Sequence, residues 1–388
     1  VAISAQAHVA QRREARVPEP EQATHARRSI VTGRHLVIMA AGTGGHIFPG
    51  VAVAREVQRR GWSVSWLGTR SGMENRLVPP TGIALDTIAF AGLRGKGALG
   101  ALTGGVRLLK AFWETFRILR RRGANAVLGM GGYVCFPDGL MASLLGKPLV
   151  LVNADASLLL STRSLLPVAD AVAFGFDGKA AQRTKHAAVT GNPVRAEIEA
   201  IAAPAQRYAG RSGPLQLLVV GGSLGAKVLN DTLPTALSMI EPARRPQVVH
   251  QCGLAHREAV QRAYAAAGVE AEVVPFIDDM PARLAGCDLI VCRAGAITVS
   301  ELCAAGVASV LVPLIVSTTA HQRDNAEYMA LHGAARHLPQ TELNAQALAA
   351  LLGQLDRAAL QAMAEKARAL AQPQAAARVA DIIERLAA

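Results

Sequence analysis

Aromatic side chains are scarce in this 388-residue chain, with Phe, Trp and Tyr together at 4%. Little is left for stacking nucleobases, and no nucleic-acid motif is present, so no nucleic-acid partner is expected. Cysteine is also sparse. Cys135, Cys252, Cys287, Cys292 and Cys303 are odd in number and lack metal-ligand spacing, which reads as reduced packing residues in a cytoplasmic protein. No run approaches the ~18 consecutive apolar residues of a membrane-spanning helix, so the chain is expected to lie on a membrane at most. Residues 1–34 lack the apolar core of a signal peptide and read as a disordered extension, with a basic arm (Arg12, Arg13, Arg27, Arg28, Arg34) as the alternative. Acidic residues are in deficit, 29 against 41 basic ones, giving a net charge of +12. That balance favours an anionic partner such as phospholipid headgroups or a phosphorylated substrate. No Asp-x-Asp pair follows a strand to hold a metal, and no metal or other cofactor is expected.

Glycine, by contrast, is placed with purpose. Three glycine-rich turns, 42–46, 129–133 and 221–225, each sit where an apolar strand gives way to a helix. Such a turn lets the backbone approach an anion closely, and the helix behind it aims free N–H groups and a partial positive charge at the same point. Short apolar runs at 35–41, 63–67, 126–128, 149–152, 171–174 and 186–189 alternate with helical patterns, as in a doubly wound sheet. The stretch 202–214, with two prolines and two glycines, reads as a linker. A second series follows it, with strands at 215–220, 247–251, 272–274, 289–292 and 309–312. The length fits two domains. The last helix carries Val379, Ile382, Ile383 and Leu386 at i, i+3, i+4 and i+7, a sticky face that must dock.

Several residues at these turns carry chemistry. The strand at 63–67 leads into Gly68-Thr69-Arg70, without the acid a nicotinamide enzyme uses on ribose hydroxyls, which argues against a dehydrogenase. His46, closing the first glycine turn, fits a general base near neutral pH, or equally a donor to a neighbouring carbonyl or phosphate. Ser223 and the amides of the third turn suit a diphosphate. Arg195 reads either as its bidentate counter-charge or as half of a surface salt bridge. Thr298 and Glu301 fit a capping box, while Glu301 also suits the vicinal hydroxyls of a ribose. Between 93 and 122 there are eight basic residues against one acid, Glu114. Leu109, Phe112, Trp113 and Phe116 share a helical face, with Arg107, Lys110, Arg117 and Arg121 on the other. A helix so built either packs into its own domain or lies in an anionic headgroup layer.

Seven motifs occur in an order that resembles the bacterial peptidoglycan glycosyltransferase family that makes lipid II: 41–50, 93–97, 129–133, 191–195, 221–226, 276–280 and 298–301. The resemblance covers residue 35 to the end. It implies an α/β fold of GT-B type, two Rossmann-like doubly wound parallel-sheet domains with a cleft between them. The acceptor and membrane-docking domain would be 35–195, the UDP-GlcNAc-binding domain 196–372, and the helix 373–388 would cross back to the first. The implied reaction is an inverting transfer of GlcNAc from UDP-GlcNAc to the 4-hydroxyl of MurNAc in lipid I, with His46 as candidate base.

Donor contacts implied by the family are Thr43, Gly44, Gly45, Asp155, Arg195, Ser223, Ile277, Ala296, Ile297, Thr298, Val299, Ser300, Glu301 and Gln322. Ile277 would meet uracil through its backbone, Glu301 the ribose and Gln322 the sugar. Gly44, Gly45, Gly131, Gly132 and Tyr133 would face the acceptor diphosphate. Leu109, Phe112, Trp113, Phe116 and Arg117 would dock on the cytoplasmic face of the inner membrane, peripherally, where other cell-wall synthesis or division proteins are possible partners. The chain departs from the family at 152–155, where Val-Asn-Ala-Asp replaces His-Glu-Gln-Asn, at Ala41 in place of a glycine, and at 314–320. Asp155 thus stands where an asparagine touches the donor sugar, and a carboxylate can accept but not donate. These departures keep two alternatives open: a weak or inactive nucleotide-sugar-binding relative acting as a scaffold, and a GT-B enzyme making a different glycolipid.

Overall fold

Strands buried on both faces need continuous apolar runs and a helix over each face, and the chain supplies both in alternation. The computed structural model describes residues 33–42, 44–90, 98–222, 224–314 and 320–388. Thr43, Ser223, and the segments 1–32, 91–97 and 315–319 lie outside the described residues. The first sheet holds β1 (His35–Ala40), β2 (Ser63–Thr69), β3 (Ala84–Ile88), β4 (Ala126–Gly131), β5 (Leu149–Asn153), β6 (Ala171–Phe174) and β7 (Ala187–Val189). All pairs are parallel, in the order β3-β2-β1-β4-β5-β6-β7. The second sheet holds β8 (Gln216–Val220), β9 (Gln247–Gln251), β10 (Glu272–Val274), β11 (Leu289–Cys292), β12 (Ser309–Leu311) and β13 (Arg336–His337), also parallel, ordered β10-β9-β8-β11-β12-β13.

In each sheet the strand order reverses once, between β1 and β4 and between β8 and β11. Open parallel sheets bind ligands at the carboxyl ends of the strands beside that reversal. The three glycine turns follow β1, β4 and β8, three of the four strands that flank the two reversals.

Two features were not anticipated. Edge strands β3 and β13 were missed, and the 202–214 stretch is no free linker. It forms the helix Pro204–Tyr208 and is sealed onto the second lobe: the buried Tyr208 donates to the Asp288 carbonyl at 2.7 Å, Arg207 Nη2 donates to the Ala305 carbonyl at 2.9 Å, and Arg211 pairs with Asp288 at 2.7 Å. The last helix, Ala375–Leu386, buries Val379, Ala380, Ile382 and Ile383 in the first-lobe core beside Val53 and Val57 of the helix Gly44–Arg59. Arg60 locks the pair, reaching Glu56, Asp381 and Glu384 at 2.6–2.8 Å.

Candidate active site

In the first lobe the turns after β1 and β4 close on each other. β1 and β4 shift register at Met39/Ala40, so that Ala40 pairs with Gly131 rather than Met130. Gly131 has φ +118°, and a Cβ there would meet the His46 ring at 2.8–2.9 Å. The missing side chain is the space that the imidazole occupies. His46 lies in the first turn of the helix Gly44–Arg59, and its Nδ1 is buried without a hydrogen-bond partner. Burial holds its pKa below the ordinary histidine value, while the Ala41 backbone and the Asp155 carboxylate pull the other way. The Ala41 carbonyl thus favours a proton on the ring without forming a well-shaped hydrogen bond. Tyr133 is 55% exposed beside this corner.

Asp155, just past β5, links the lobes. Its Oδ1 accepts from Asn325 Nδ2 at 2.8 Å, and Asn325 Oδ1 accepts the Ala156 amide at 2.8 Å. Ser157 Oγ and His321 Nδ1 lie 3.0 Å apart in the same seam. The side chain expected at the donor sugar is therefore engaged by the second lobe.

In the second lobe a cavity of about 740 Å3 is lined by Gly222, Gly225, Lys227, Arg293, Thr298 and Gln322, among others. The helix Ala296–Ala305 starts at Gly295, which makes no side-chain cap, so the Thr298/Glu301 capping box does not form. Glu301 Oε1 instead accepts from Arg195 Nε at 3.0 Å and Nη2 at 2.9 Å. Burial raises the Glu301 pKa and Arg195 opposes the rise. The run 296–301 divides: Val299 is wholly buried, and Ser300 Oγ is taken by Asn192 and the Ala296 carbonyl, leaving Thr298 on the cavity wall. Ile277 anchors its side chain in the core. Gln322 Oε1 accepts the Leu314 amide at 2.8 Å.

Sequence reasoning missed Lys227 and Arg293. Arg293 Nη1 binds the Val312 and Pro313 carbonyls and Gln340 Oε1 at 2.7–3.3 Å, fixing the mouth of the cavity. Its place directly after β11 was the available signal, because that is where a switch-point ligand lies.

The basic helix Ala98–Arg122 packs part of its surface into its own lobe and leaves other apolar side chains exposed. Ala111, Thr115, Ile118 and Leu119 are buried, whereas Val106, Leu109 and Trp113 are 61%, 70% and 57% exposed. Phe112 and Phe116 are half-buried. Arg117 stands 4.6 Å over the Trp113 ring. Arg121 is not free: it and Arg122 pair with Asp86 at 2.5 and 2.7 Å. No helix among the described residues is long and apolar enough to cross a membrane, and none of their His, Cys, Asp and Glu side chains cluster as a metal site.

Two doubly wound parallel sheets with glycine turns at both reversals make up a fold of GT-B type. Residues 36–174 match the glycosyltransferase family 28 N-terminal domain and 216–386 the family 28 C-terminal domain. The chain is 71% identical over 361 residues to the UDP-N-acetylglucosamine--N-acetylmuramyl-(pentapeptide) pyrophosphoryl-undecaprenol N-acetylglucosamine transferase of Methylibium petroleiphilum, covering 92% of this chain and 98% of that one. To the protein of the same name from Chromobacterium violaceum it is 64% identical, covering 92% and 99%. Among solved structures it is similar to MurG of Acinetobacter baumannii, with 39% identity, TM-score 0.81, and 91% and 99% of the two chains covered. The calicheamicin glycosyltransferase CalG4, at 16% identity and TM-score 0.63 over 92% and 98%, shares the fold. The chain belongs to glycosyltransferase family 28, among the N-acetylglucosamine transferases of that long name.

Proposed function

We propose that this protein transfers GlcNAc from UDP-GlcNAc to undecaprenyl-pyrophosphoryl-MurNAc-pentapeptide, lipid I, forming lipid II. The observation that carries the mechanism is the buried, neutral-leaning His46 ring packed on Gly131 beside both first-lobe turns. With the ring proton on Nδ1, the Nε2 lone pair is the base. The MurNAc 4-hydroxyl oxygen attacks the anomeric carbon of GlcNAc, its proton passes to His46, and the C1–O bond breaks with its electron pair leaving on UDP. Configuration inverts. Arg195 and the amides of the 221–225 turn meet the charge of the departing diphosphate, and no cofactor is assigned. Glu301 takes the ribose, Ile277 the uracil, and Gln322 with Thr298 the sugar. The Arg195–Glu301 pair must then open or be bridged as the donor enters.

The exposed Val106, Leu109 and Trp113, ringed by basic residues, support peripheral docking on the anionic cytoplasmic face of the inner membrane. Purified protein given both substrates is expected to release UDP and place β-linked GlcNAc on the lipid. Donor binding with no lipid product would leave only a nucleotide-sugar-binding scaffold. Replacing Leu109 and Trp113 by Ser is expected to lower co-sedimentation with anionic vesicles severalfold, and unchanged association would end the docking claim.

A further inference from the structure

Glu74 is wholly buried although it opens a four-residue helix at the edge of the first lobe. Its Oε1 accepts the Thr69 amide at 2.7 Å and the Thr69 hydroxyl at 2.6 Å, and its Oε2 accepts the Gly42 amide at 3.2 Å. Two glycines make room for it. A Cβ on Gly68 would lie 2.6 Å from its Cγ, and one on Gly72 would overlap both carboxylate oxygens. Asn75 closes the same loop, donating to the Thr69 and Gly72 carbonyls at 2.8 and 3.0 Å. A charged acceptor on buried backbone donors is a strong restraint, and its loss strands those donors.

This carboxylate comes to the end of β2, where a dinucleotide-binding sheet uses an acid on ribose hydroxyls. Here its oxygens are spent on the protein's own donors. Gly42, at φ +104°, is the first residue of the turn that delivers Gly44 and Gly45 to the start of the helix Gly44–Arg59. The amides of a helix's first turn have no intrahelical partner and are free for an anion.

We propose that Glu74 is a positioning residue: by clamping the Gly42 amide inward it fixes the turn so that the Gly44 and Gly45 amides face the acceptor's diphosphate. This rests on the transferase reading given above. Glu74→Gln changes one atom, and either orientation of the amide sets an N–H against a backbone or hydroxyl donor. The KM for the lipid acceptor is expected to rise about tenfold or more, while the KM and Kd for UDP-GlcNAc, held mainly by the other lobe, stay within about twofold. Glu74→Asp keeps the charge but is too short to span Thr69 and Gly42 together, and it should show the same split, more weakly. An unchanged acceptor KM in Glu74→Gln overturns the proposal. So does loss of UDP-GlcNAc binding in both variants, which would assign Glu74 to folding alone. A wild-type protein that transfers nothing would instead refute the transferase reading, and the paired wild-type assay keeps the two failures apart.

Discussion

The first-lobe turn is braced by a charged group and the second-lobe turn by a neutral network. Behind the 221–225 turn, Gln251 Nε2 donates to the Gly222 carbonyl at 2.9 Å and the Pro275 carbonyl at 3.1 Å. Asn230 Nδ2 donates to the Cys252 carbonyl at 3.1 Å, and that carbonyl sits where a Cβ on Gly225 would be. Since Asn230 donates through its nitrogen, its Oδ1 must accept from His250 Nε2 at 3.1 Å, so the ring proton is on Nε2. His250 Nδ1 then accepts from the Tyr264 hydroxyl at 3.0 Å. Acceptance at Nδ1 needs a neutral imidazole, and burial pushes the His250 pKa down to about 4. The difference follows from what each brace must hold. The first lobe secures an amide N–H, which calls for a strong acceptor, whereas the second secures carbonyls, which call for donors.

The largest expected effect separates chemistry from both braces. His46→Ala should lower kcat by about 10²–10⁴, the usual contribution of a general base, with UDP-GlcNAc affinity unchanged. Equal turnover would remove His46 from that role. Next comes stability. His250 is folded with a pKa of about 4 against an ordinary 6.5, so the unfolded chain binds its proton first as pH falls. The contribution is full above pH 6.5 and is lost as pH drops towards 4, on the order of 3 kcal/mol across that window. Denaturant melts at pH 7.5 and 4.5 should show a shallower pH dependence for His250→Gln than for wild type. A parallel pair of curves would place a proton elsewhere in the network. Smaller again is Gln251→Glu, the mirror image of the Glu74→Gln exchange. An oxygen replaces the NH2 that faces two carbonyls, and the donor KM should rise about tenfold, or up to thirtyfold, with the acceptor KM little changed. If each swap raised both KM values, the two braces would not divide the substrates between them.

How much of this was legible in sequence depended on whether a group's partner was near it in the chain. The three glycine turns could be placed because each follows an apolar strand, a local signal, whereas the reversals they flank emerge only from the strand order. The edge strands were not. β3 reads Ala-Leu-Asp-Thr-Ile, with little burial to enforce a pattern, and β13 is two residues long. The 202–214 stretch misled because proline and glycine mark irregular backbone without saying whether it is docked, and here Tyr208 and Arg211 tie it to Asp288. Glu74 was invisible for a related reason: its partner Gly42 lies 32 residues upstream. The Thr298/Glu301 spacing was a true match to a capping pattern whose carboxylate had a better partner 106 residues away, Arg195.

That pair frames the smallest expected effect. With Glu301 Oε1 on Arg195, the ribose would be met by Oε2, and Arg195 would reach the diphosphate only by loosening its hold. Glu301→Gln removes one charge-assisted acceptor but also releases Arg195 towards the phosphates, so the two changes partly offset. Donor affinity should fall about threefold to tenfold, less than for a simple loss of a charged hydrogen bond. The offset has a signature of its own. Because Arg195 opposes the rise that burial imposes on the Glu301 pKa, Arg195→Ala should let the carboxyl protonate at higher pH. Its donor affinity should then decline more steeply than that of wild type as pH is lowered from 7 towards 5, whereas Glu301→Gln should be flat over the same range. Calorimetric titration of UDP-GlcNAc into the three proteins at pH 5, 6 and 7 reads this directly, and identical slopes for all three would mean that the pair does not act on the donor.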